Sequence, residues 1–175
     1  MRNKKSLLKI TYTAIFTALI LLATSVIKFS TGLGEGYIHL GDSFVYLAAC
    51  ILPFPYCLIA GALGGALADI LSGYAIWSIP TMLIKMLNMI PFVLACRKHK
   101  SSKILSKQAV LMTVVSGVIT IAGYFVTECI LYSVASATLS LIGNGVQAVA
   151  SGIIFVIIAK ATDKINLKSK ISKGV

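Results

Sequence analysis

Long apolar stretches separated by short polar segments run through the whole of this 175-residue chain. A helix that crosses a bilayer needs about 20 consecutive, mostly apolar residues, and six stretches meet or approach that length. The second is short and ends at Pro53-Phe54-Pro55, so it must extend upstream, tilt or cross only part of the bilayer. The predicted helices cover about 7–27, 43–52, 56–71, 76–96, 108–132 and 138–161.

This pattern predicts an all-α fold, an integral membrane bundle of six transmembrane helices. The chain is 58% hydrophobic and only 12% charged, whereas a soluble domain carries about 25% charged residues. Its length suits one domain, so residues 1–175 form a single predicted membrane-embedded domain with basic tails at about 1–6 and 163–175. We therefore expect a multi-pass protein of the cell membrane, in which the first apolar stretch is a helix and not a cleaved signal peptide.

The formal net charge of +11 comes mainly from three basic clusters. Fourteen of the 16 Lys and Arg residues lie within 2–9, 97–107 and 160–173. Short loops rich in Lys and Arg stay on the cytoplasmic side of a membrane. Six crossings place all three clusters on that side, with both termini cytoplasmic, whereas five or seven crossings would separate them. The charge thus indicates topology and contact with anionic membrane lipid, and it does not indicate a nucleic-acid partner.

Several polar residues fall inside the predicted helices. A charged side chain at the bilayer centre costs about 2.5–3.5 kcal/mol on insertion scales, so Asp69, Lys85 and Glu128 each need a partner or a function. Asn144 and Gln147 lie on adjacent positions of one helix face. The predicted helices bring these five residues into one outer layer of the bundle. A water-accessible cleft that opens to the outside explains their convergence.

Aromatic residues and one histidine complete the candidate site. The predicted ligand-binding residues are Glu128, Lys85, Asp69, Asn144, Gln147, Tyr74, Trp77, Tyr124 and His39. Each also has a structural interpretation. Lys85 could pair with Asp69 or Glu128 only to join two helices, the interfacial aromatics could anchor the protein in the bilayer, His39 could cap a helix, and the two amides could link helices.

The chain carries no motif of a catalytic or metal site. It lacks the G-x-x-x-x-G-K-[ST] loop of ATPases and the H-E-x-x-H or His/Cys spacing of metal sites. His39 and His99 fall on opposite sides of the predicted membrane, so a Ser/His mechanism has no support. Glycines 61, 64 and 65 predict close helix packing and not phosphate binding. We therefore expect neither enzyme activity nor a bound metal.

Residues 36–85, GYIHLGDSFVYLAACILPFPYCLIAGALGGALADILSGYAIWSIPTMLIK, resemble the substrate-binding (S) components of energy-coupling factor (ECF) vitamin transporters. The resemblance is to the riboflavin-type or hydroxymethylpyrimidine-type branch. It covers nearly the whole chain in length and in its six helices, and it includes G-Y-x-H-L-G-D at the entry to the second helix and A-D-x-x-S-G-Y at the end of the third. It implies that the chain binds a vitamin from outside and docks on a transmembrane coupling protein driven by two ATPases. ATP is then hydrolysed by those partner subunits, and this chain needs no cofactor.

Two further features belong to the resemblance. The first helix of the family often carries an A-x-x-x-A docking motif, which Ala14 and Ala18 match. Small residues four apart allow a second helix to approach closely. The family's first outer loop covers the ligand, and the glycine-rich segment 28–42 has the freedom that such a lid requires.

The candidate residues suit a flat heteroaromatic ligand that donates hydrogen bonds, because aromatic rings stack and carboxylates accept. A hydroxymethylpyrimidine (a thiamine precursor) or pyridoxine fits better than folate or biotin, which carry carboxylates, although Lys85 could meet a ligand carboxylate. Riboflavin and a queuosine-type deazapurine are alternatives in the same role. Two other classes stay open: a stand-alone secondary carrier or channel, whose mark would be internal repeats, and a membrane scaffold without a ligand.

Overall fold

The computed structural model describes residues 2–30, 37–98 and 103–174. Within these ranges the chain is almost wholly helical, and the predicted all-α class is confirmed. The helices and strands in chain order are α1 (Arg2–Ser25), β1 (Lys28–Ser30), β2 (Tyr37–His39), α2 (Gly41–Ile51), α3 (Tyr56–Leu71), a 3₁₀ turn (Ala75–Trp77), α4 (Ser78–Lys98), α5 (Lys107–Leu131), α6 (Val134–Lys164) and α7 (Leu167–Gly174).

Four helical stretches are long and apolar enough to cross a membrane: Lys4–Ser25, Ala75–Ala95, Lys107–Leu131 and Val134–Lys164. The other two predicted crossings, α2 and α3, have 11 and 16 residues. At 1.5 Å per residue these helices are about 17 and 24 Å long, which is less than the ~30 Å of a bilayer core. The number of crossings and the side on which the termini lie therefore stay predictions.

Helix α2 lies inside the bundle, in contact with α1, α3, α4 and α6. Ten of its 11 residues are buried, as expected for a helix that is apolar on all sides. The ring of Tyr46 stacks on Phe92 of α4 with 4.8 Å between centroids, and it meets Phe155 of α6 edge-on at 5.9 Å. These contacts hold α2 in place and set its N-terminus beside the two strands.

The outer faces of the surrounding helices carry large aliphatic side chains. Leu22, Ile130 and Ile157, from α1, α5 and α6, are each more than half exposed. Exposed apolar surface of this extent marks contact with a membrane or a partner. The helices thus expose aliphatic side chains on the outside of the bundle, whereas many polar side chains, such as Asp69 and Lys85, are buried inside it.

Helix α3 packs closely on both of its neighbours through its glycines. A Cβ at Gly64 would lie 2.8 Å from Ile20 of α1, and a Cβ at Gly65 would lie 2.9 Å from Thr81 of α4. Such distances are too short for a side chain, so these positions require glycine. The predicted packing role is therefore what the structure shows, and Gly65 brings the same face of α3, including Asp69 one turn later, against α4.

The segments between and beyond the helices are more ordered than the polar pattern suggests. Segment 28–42, predicted as a loop, contains the antiparallel pair β1–β2, in which Lys28 lies opposite His39; residues 31–36 lie outside the described residues. The predicted basic tails are helical as well, since α1 begins at Arg2 and α7 follows α6. Ile171 of α7 is buried, so the C-terminal segment packs on the bundle.

Candidate functional site

A cavity of about 50 Å³ lies at the end of the bundle where the strands pair. On the same measure a single water needs about 10–15 Å³, so the cavity has room for a few waters and must widen for a vitamin. Its walls come from β2, α3, the 3₁₀ turn and its flank, α4, α5 and α6. The lining residues are Tyr37, Ile38, His39, Asp69, Tyr74, Trp77, Thr81, Tyr124, Glu128, Ser140, Gly143, Asn144 and Gln147.

The cavity contains eight of the nine residues predicted to bind a ligand, and Lys85 is the exception. The structure thus brings together residues that are up to 108 positions apart along the chain, such as His39 and Gln147. Their role toward a ligand stays a prediction, because geometry shows proximity and not binding. The lining residues that were not foreseen are Tyr37, Ile38, Thr81, Ser140 and Gly143.

The end of α3 explains the A-D-x-x-S-G-Y motif. Gly73 adopts a φ of 85°, the left-handed conformation that ends many helices. Its N–H donates to the carbonyl of Ile70, and the N–H of Tyr74 donates back to the carbonyl of Asp69 at 2.8 Å. This reversal turns Tyr74 over the last turn of α3, so that an acid and an aromatic ring reach the cavity from one short motif.

Helix α6 contributes one continuous polar face. Ser140, Gly143, Asn144 and Gln147 are spaced i, i+3, i+4 and i+7, which is the spacing of one side of a helix. Sequence reasoning identified only the two amides, although the same spacing would have found the serine and the glycine. The Oγ of Ser140 and the Nδ2 of Asn144 are buried and have no hydrogen-bond partner in the part of the chain that the structure describes. Buried polar groups without partners are rare in proteins, so these two atoms are suited to bind a ligand.

Four aromatic rings form the opposite side of the cavity. Tyr37 and Tyr74 have ring centroids 5.1 Å apart, and Trp77 and Tyr124 have centroids 5.9 Å apart. The indole N–H of Trp77 donates to the hydroxyl of Tyr132 at 3.3 Å. Trp77 is only 5% exposed, so it is a buried wall residue and the interpretation as a membrane-interface anchor is wrong for it.

One interpretation of the sequence paired Lys85 with Asp69, and the structure does not show that pair. Lys85 forms a salt bridge with Asp42, and both side chains are completely buried. The sequence placed Asp42 in the outer loop, whereas α2 begins two residues earlier than predicted and carries Asp42 in its first turn. Inside the bundle, that turn faces α4, and Asp42 is therefore the acid that contacts Lys85.

A hydrogen-bond network surrounds this ion pair. Gln147 donates from Nε2 to the second oxygen of Asp42 at 3.0 Å, and its Oε1 accepts the backbone N–H of His39 at 3.2 Å. The Nε2 of His39 lies 3.4 Å from the ammonium nitrogen of Lys85. Asp42, which sequence reasoning missed as a site residue, therefore connects α2 to α4 and α6, and Gln147 extends the network to β2 and lines the cavity. An acid in the first turn of a helix after glycine was the available signal.

His39 has a structural role that agrees with capping. Its Nδ1 accepts the N–H of Gly41 at 3.2 Å, at the beginning of α2. Burial, and then the positive charge of Lys85, lower the pKa of His39 to about 3. The imidazole is therefore neutral at physiological pH, and it contributes no positive charge to the cavity that it lines.

Tyr37 closes the cavity on the side of the strands. Its hydroxyl donates to Oδ1 of Asp69 at 2.8 Å, and burial together with that carboxylate raises the pKa of Tyr37 far above its usual value. The ammonium of Lys28 lies 5.4 Å from the centre of the Tyr37 ring. Tyr37 and His39 are two positions apart on a strand and thus share a face, a pattern from which Tyr37 could have been predicted.

The proposed docking residues lie on the outside of the bundle. Ala14 and Ala18 are exposed on α1, in an apolar groove of about 450 Å³ between α1 and α3. The groove is lined by Ile10, Thr13, Ala14, Thr17, Ala18, Leu21, Tyr56, Ile59 and Leu63. The two alanines are therefore accessible to another helix, and docking through them stays a prediction.

Comparison with known proteins agrees with the resemblance in the sequence. The family model for the "ECF-type riboflavin transporter, S component" matches residues 4–164. A protein from Pyrococcus woesei, named "Uncharacterized protein in gap 3'region", is 30% identical over 134 residues, which cover 76% of this chain and 86% of that protein. The family is one of transporter components and not of enzymes, and its members are integral to the membrane. Because the family match extends from the first turns of α1 to the end of α6, the chain belongs to the ECF S components, the membrane subunits of vitamin uptake systems.

Proposed function

We propose that this chain is the substrate-binding subunit of an ECF-type importer and that its vitamin binds in the cavity between β2 and α6. The observation that carries the proposal is the convergence of buried polar atoms without protein partners, on Ser140 and Asn144, with four aromatic rings and two carboxylates. A buried polar atom without a partner costs about 1–3 kcal/mol, and a ligand that hydrogen-bonds to Ser140 and Asn144 would recover that cost.

The proposal includes six crossings with both termini in the cytoplasm. The two short helices, α2 and α3, complete the count of six, and the three basic clusters then share one side. At the end opposite the strands, Asp163 of α6 accepts the backbone N–H groups of Ile104 and Leu105 at 2.7 and 2.9 Å. This contact supports the same placement, because it joins two of the basic segments at one end and leaves the cavity at the other, facing outward.

The ligand that we favour is a hydroxymethylpyrimidine or pyridoxine, with riboflavin or a queuosine-type deazapurine as the alternative. Small donor-rich rings require the least widening of a 50 Å³ cavity. Lys85, the one reason to consider a ligand carboxylate, is already paired with Asp42. Riboflavin, which appears in the description of the family model, requires a larger displacement of the Tyr37 side.

The partners follow from the family, in which an S component works with a vitamin, a transmembrane coupling protein and ATPases. We propose that two ATPase subunits hydrolyse ATP for this chain, which itself needs no cofactor. The groove around Ala14 and Ala18 is the proposed surface for the coupling protein, because small residues permit close helix contact. Its outer surface otherwise meets membrane lipid, and no nucleic-acid partner is proposed.

Native mass spectrometry of the purified protein tests the ligand directly. We expect a small molecule of the mass of a pyrimidine, pyridoxine or flavin to remain bound. An empty protein that also shows no thermal shift with these vitamins would contradict the proposal and favour the scaffold. Uptake of the vitamin by proteoliposomes that contain this chain alone would instead favour a stand-alone carrier or channel.

The docking surface is tested by the double variant Ala14→Leu/Ala18→Leu in cells that supply the coupling module. We expect uptake to be lost while the affinity for the vitamin stays unchanged. The matched control is Ala122→Leu, at an exposed alanine of α5 outside the groove, which should leave uptake intact. Loss of binding together with uptake would remove the docking role from this face of α1.

A further inference from the structure

We propose that the cavity selects a heteroaromatic ligand that carries a positive charge, such as an ammonium group on or beside the ring. This inference rests on the proposed function, since it concerns the ligand of the same cavity. It narrows the ligand from a donor-rich ring to an organic cation, and it places the charged group between Asp69 and Glu128.

The ionisable residues around the cavity carry an excess of negative charge. Asp69 and Glu128 line it and are 4% and 2% exposed. The described lining contains no Lys or Arg. Below it, Lys85 lies beside its own counter-ion Asp42. The three acids Asp42, Asp69 and Glu128 therefore outnumber the one base, Lys85, and this excess does not depend on which residues pair.

The nearest further cation does not balance this charge. Lys28 lies outside the cavity, on β1, with its ammonium over the ring of Tyr37. When Lys28 is counted with Lys85, the three acids still exceed the two bases by one negative charge. The buried, neutral His39 adds no positive charge. Neutral donors such as the Tyr37 hydroxyl can bond to these carboxylates but cannot balance their charge, so a cationic ligand would offset the negative charge that remains in excess.

The aromatic side of the cavity favours the same kind of group. A cation within about 6 Å of a ring centroid is attracted to the negative face of the ring. The protein already uses two of these rings in that way, because Lys28 lies 5.4 Å from Tyr37 and Lys85 lies 5.6 Å from Tyr124. Tyr74 and Trp77 belong to the same wall and can receive the ring or the charged group of a ligand.

The remaining polar atoms determine what else the ligand must offer. The hydroxyl of Tyr37 donates to Asp69, at the position where a ligand N–H would bind, so a ligand ammonium would replace this internal donor. The Nδ2 of Asn144 is a donor without a partner among the described residues, and it requires an acceptor such as a ring nitrogen or a hydroxyl oxygen. The Oγ of Ser140 can serve either need. Charge at one end and an acceptor at the other describe a heteroaromatic ring that carries a protonated aminoalkyl group.

The test uses ligands that differ only in one substituent. Pyridoxamine, pyridoxine and 4-pyridoxic acid carry an ammonium, a hydroxyl and a carboxylate on the same pyridine ring. The 5-aminomethyl and 5-hydroxymethyl forms of 4-amino-2-methylpyrimidine repeat the first comparison on a second ring, and riboflavin serves as the large neutral ligand. Calorimetry at pH 7 should show at least about tenfold tighter binding of the ammonium form on the better ring, with no measurable binding of the carboxylate.

Two variants locate the selectivity in the cavity. Glu128→Gln and Asp69→Asn should each reduce the ratio of ammonium to hydroxymethyl affinity by about tenfold. The ratio is measured within one variant, so a partial loss of folded protein does not change it. Asp163→Asn, at the opposite end of the bundle, is the control that should keep the ratio of the native chain.

The outcomes separate this inference from the proposed function. Tight binding of riboflavin or of the neutral rings, without a gain from the ammonium, would overturn the inference and leave the proposed function in place. Failure of every compound to bind would overturn the inference, and failure of a queuosine-type deazapurine to bind as well would also overturn the proposed function. A preference for the ammonium that survives in both cavity variants would show that the charge is read elsewhere, and would likewise overturn the inference.

Discussion

Two groups of buried polar residues lie next to each other in this bundle. They differ in how many of their polar atoms have hydrogen-bond partners within the protein. In the lower group, Asp42, Lys85 and Gln147 form a salt bridge and two further hydrogen bonds from the same side chains. In the upper group, Ser140 and Asn144 keep buried polar atoms that have no hydrogen-bond partner among the described residues. The first arrangement holds helices together, whereas the second is suited to a ligand.

The difference shows why polarity within a membrane helix does not by itself identify a binding residue. Lys85 is the most conspicuous polar residue of α4, and its ammonium is paired with Asp42 inside the bundle. Ser140 is an inconspicuous residue of α6, and its buried hydroxyl lines the cavity without a hydrogen-bond partner among the described residues. The variants below should separate the two groups by whether stability or affinity changes.

The largest effect is expected from breaking the lower group. Lys85→Met leaves Asp42 as a buried charge without its cation, and this should lower the free energy of unfolding by about 3–5 kcal/mol. Unfolding in mixed micelles measures the change. Lys28→Met, at an exposed lysine of β1, is the control and should cost no more than about 0.5–1 kcal/mol, the value of its contact with the Tyr37 ring.

A double variant sharpens the same comparison. Asp42→Leu combined with Lys85→Met removes both charges and should recover much of the lost stability, since a buried pair is often replaceable by apolar residues. A single Lys85→Met variant as stable as the Lys28→Met control would show that the pair does not hold the bundle.

Glu128→Gln acts on the upper group. We expect the affinity for the vitamin to fall by more than about 1 kcal/mol, because a hydrogen bond to a charged group is worth about 1.5–3 kcal/mol. Calorimetry measures the affinity, and unfolding measures the stability of the same variant. Unchanged affinity would assign Glu128 to the structural group.

His39 borders both groups, and the protonation of its imidazole should make the stability of the fold depend on pH. Because its folded pKa of about 3 lies below the unfolded value of ~6.5, the unfolded chain binds more protons between these values. Stability should therefore fall as the pH falls through that window, by about 1.4 kcal/mol between pH 7.5 and 5.5. The variant His39→Asn should remove this part of the pH dependence; an identical slope in the variant would contradict the assignment.

The smallest effects come from a matched pair of serines. Ser116→Ala removes a buried hydroxyl that donates to the carbonyl of Asn88 at 2.8 Å, and should lower stability by about 1 kcal/mol without changing affinity. Ser140→Ala removes a hydroxyl without a partner, and should lower affinity by about 1 kcal/mol while stability stays the same. Equal behaviour of the two variants would remove the distinction between the groups.

Much of this molecule follows from the sequence alone. The limits predicted for the third helix, 56–71, are those of α3, and the other predicted helices fall within a few residues of the observed ones. The apolar stretches determine these helices because backbone groups in an apolar environment must bond within the chain, which a helix does locally. The small-residue face of α3 and eight of the residues that line the cavity were also predictable, since they depend on helix periodicity and on depth along each helix.

The pairing of side chains was decided only by the tertiary structure. Asp42 could not be assigned to Lys85 from the sequence, because the choice depends on α2 being enclosed by four helices and on its first turn facing α4. The contact of Tyr37 with Asp69 likewise requires the strand pair and the reversal at Gly73 to come together. Local pattern determines which segments become helices, whereas the partner of a buried charge depends on distances between segments, and those distances exist only once the bundle has packed.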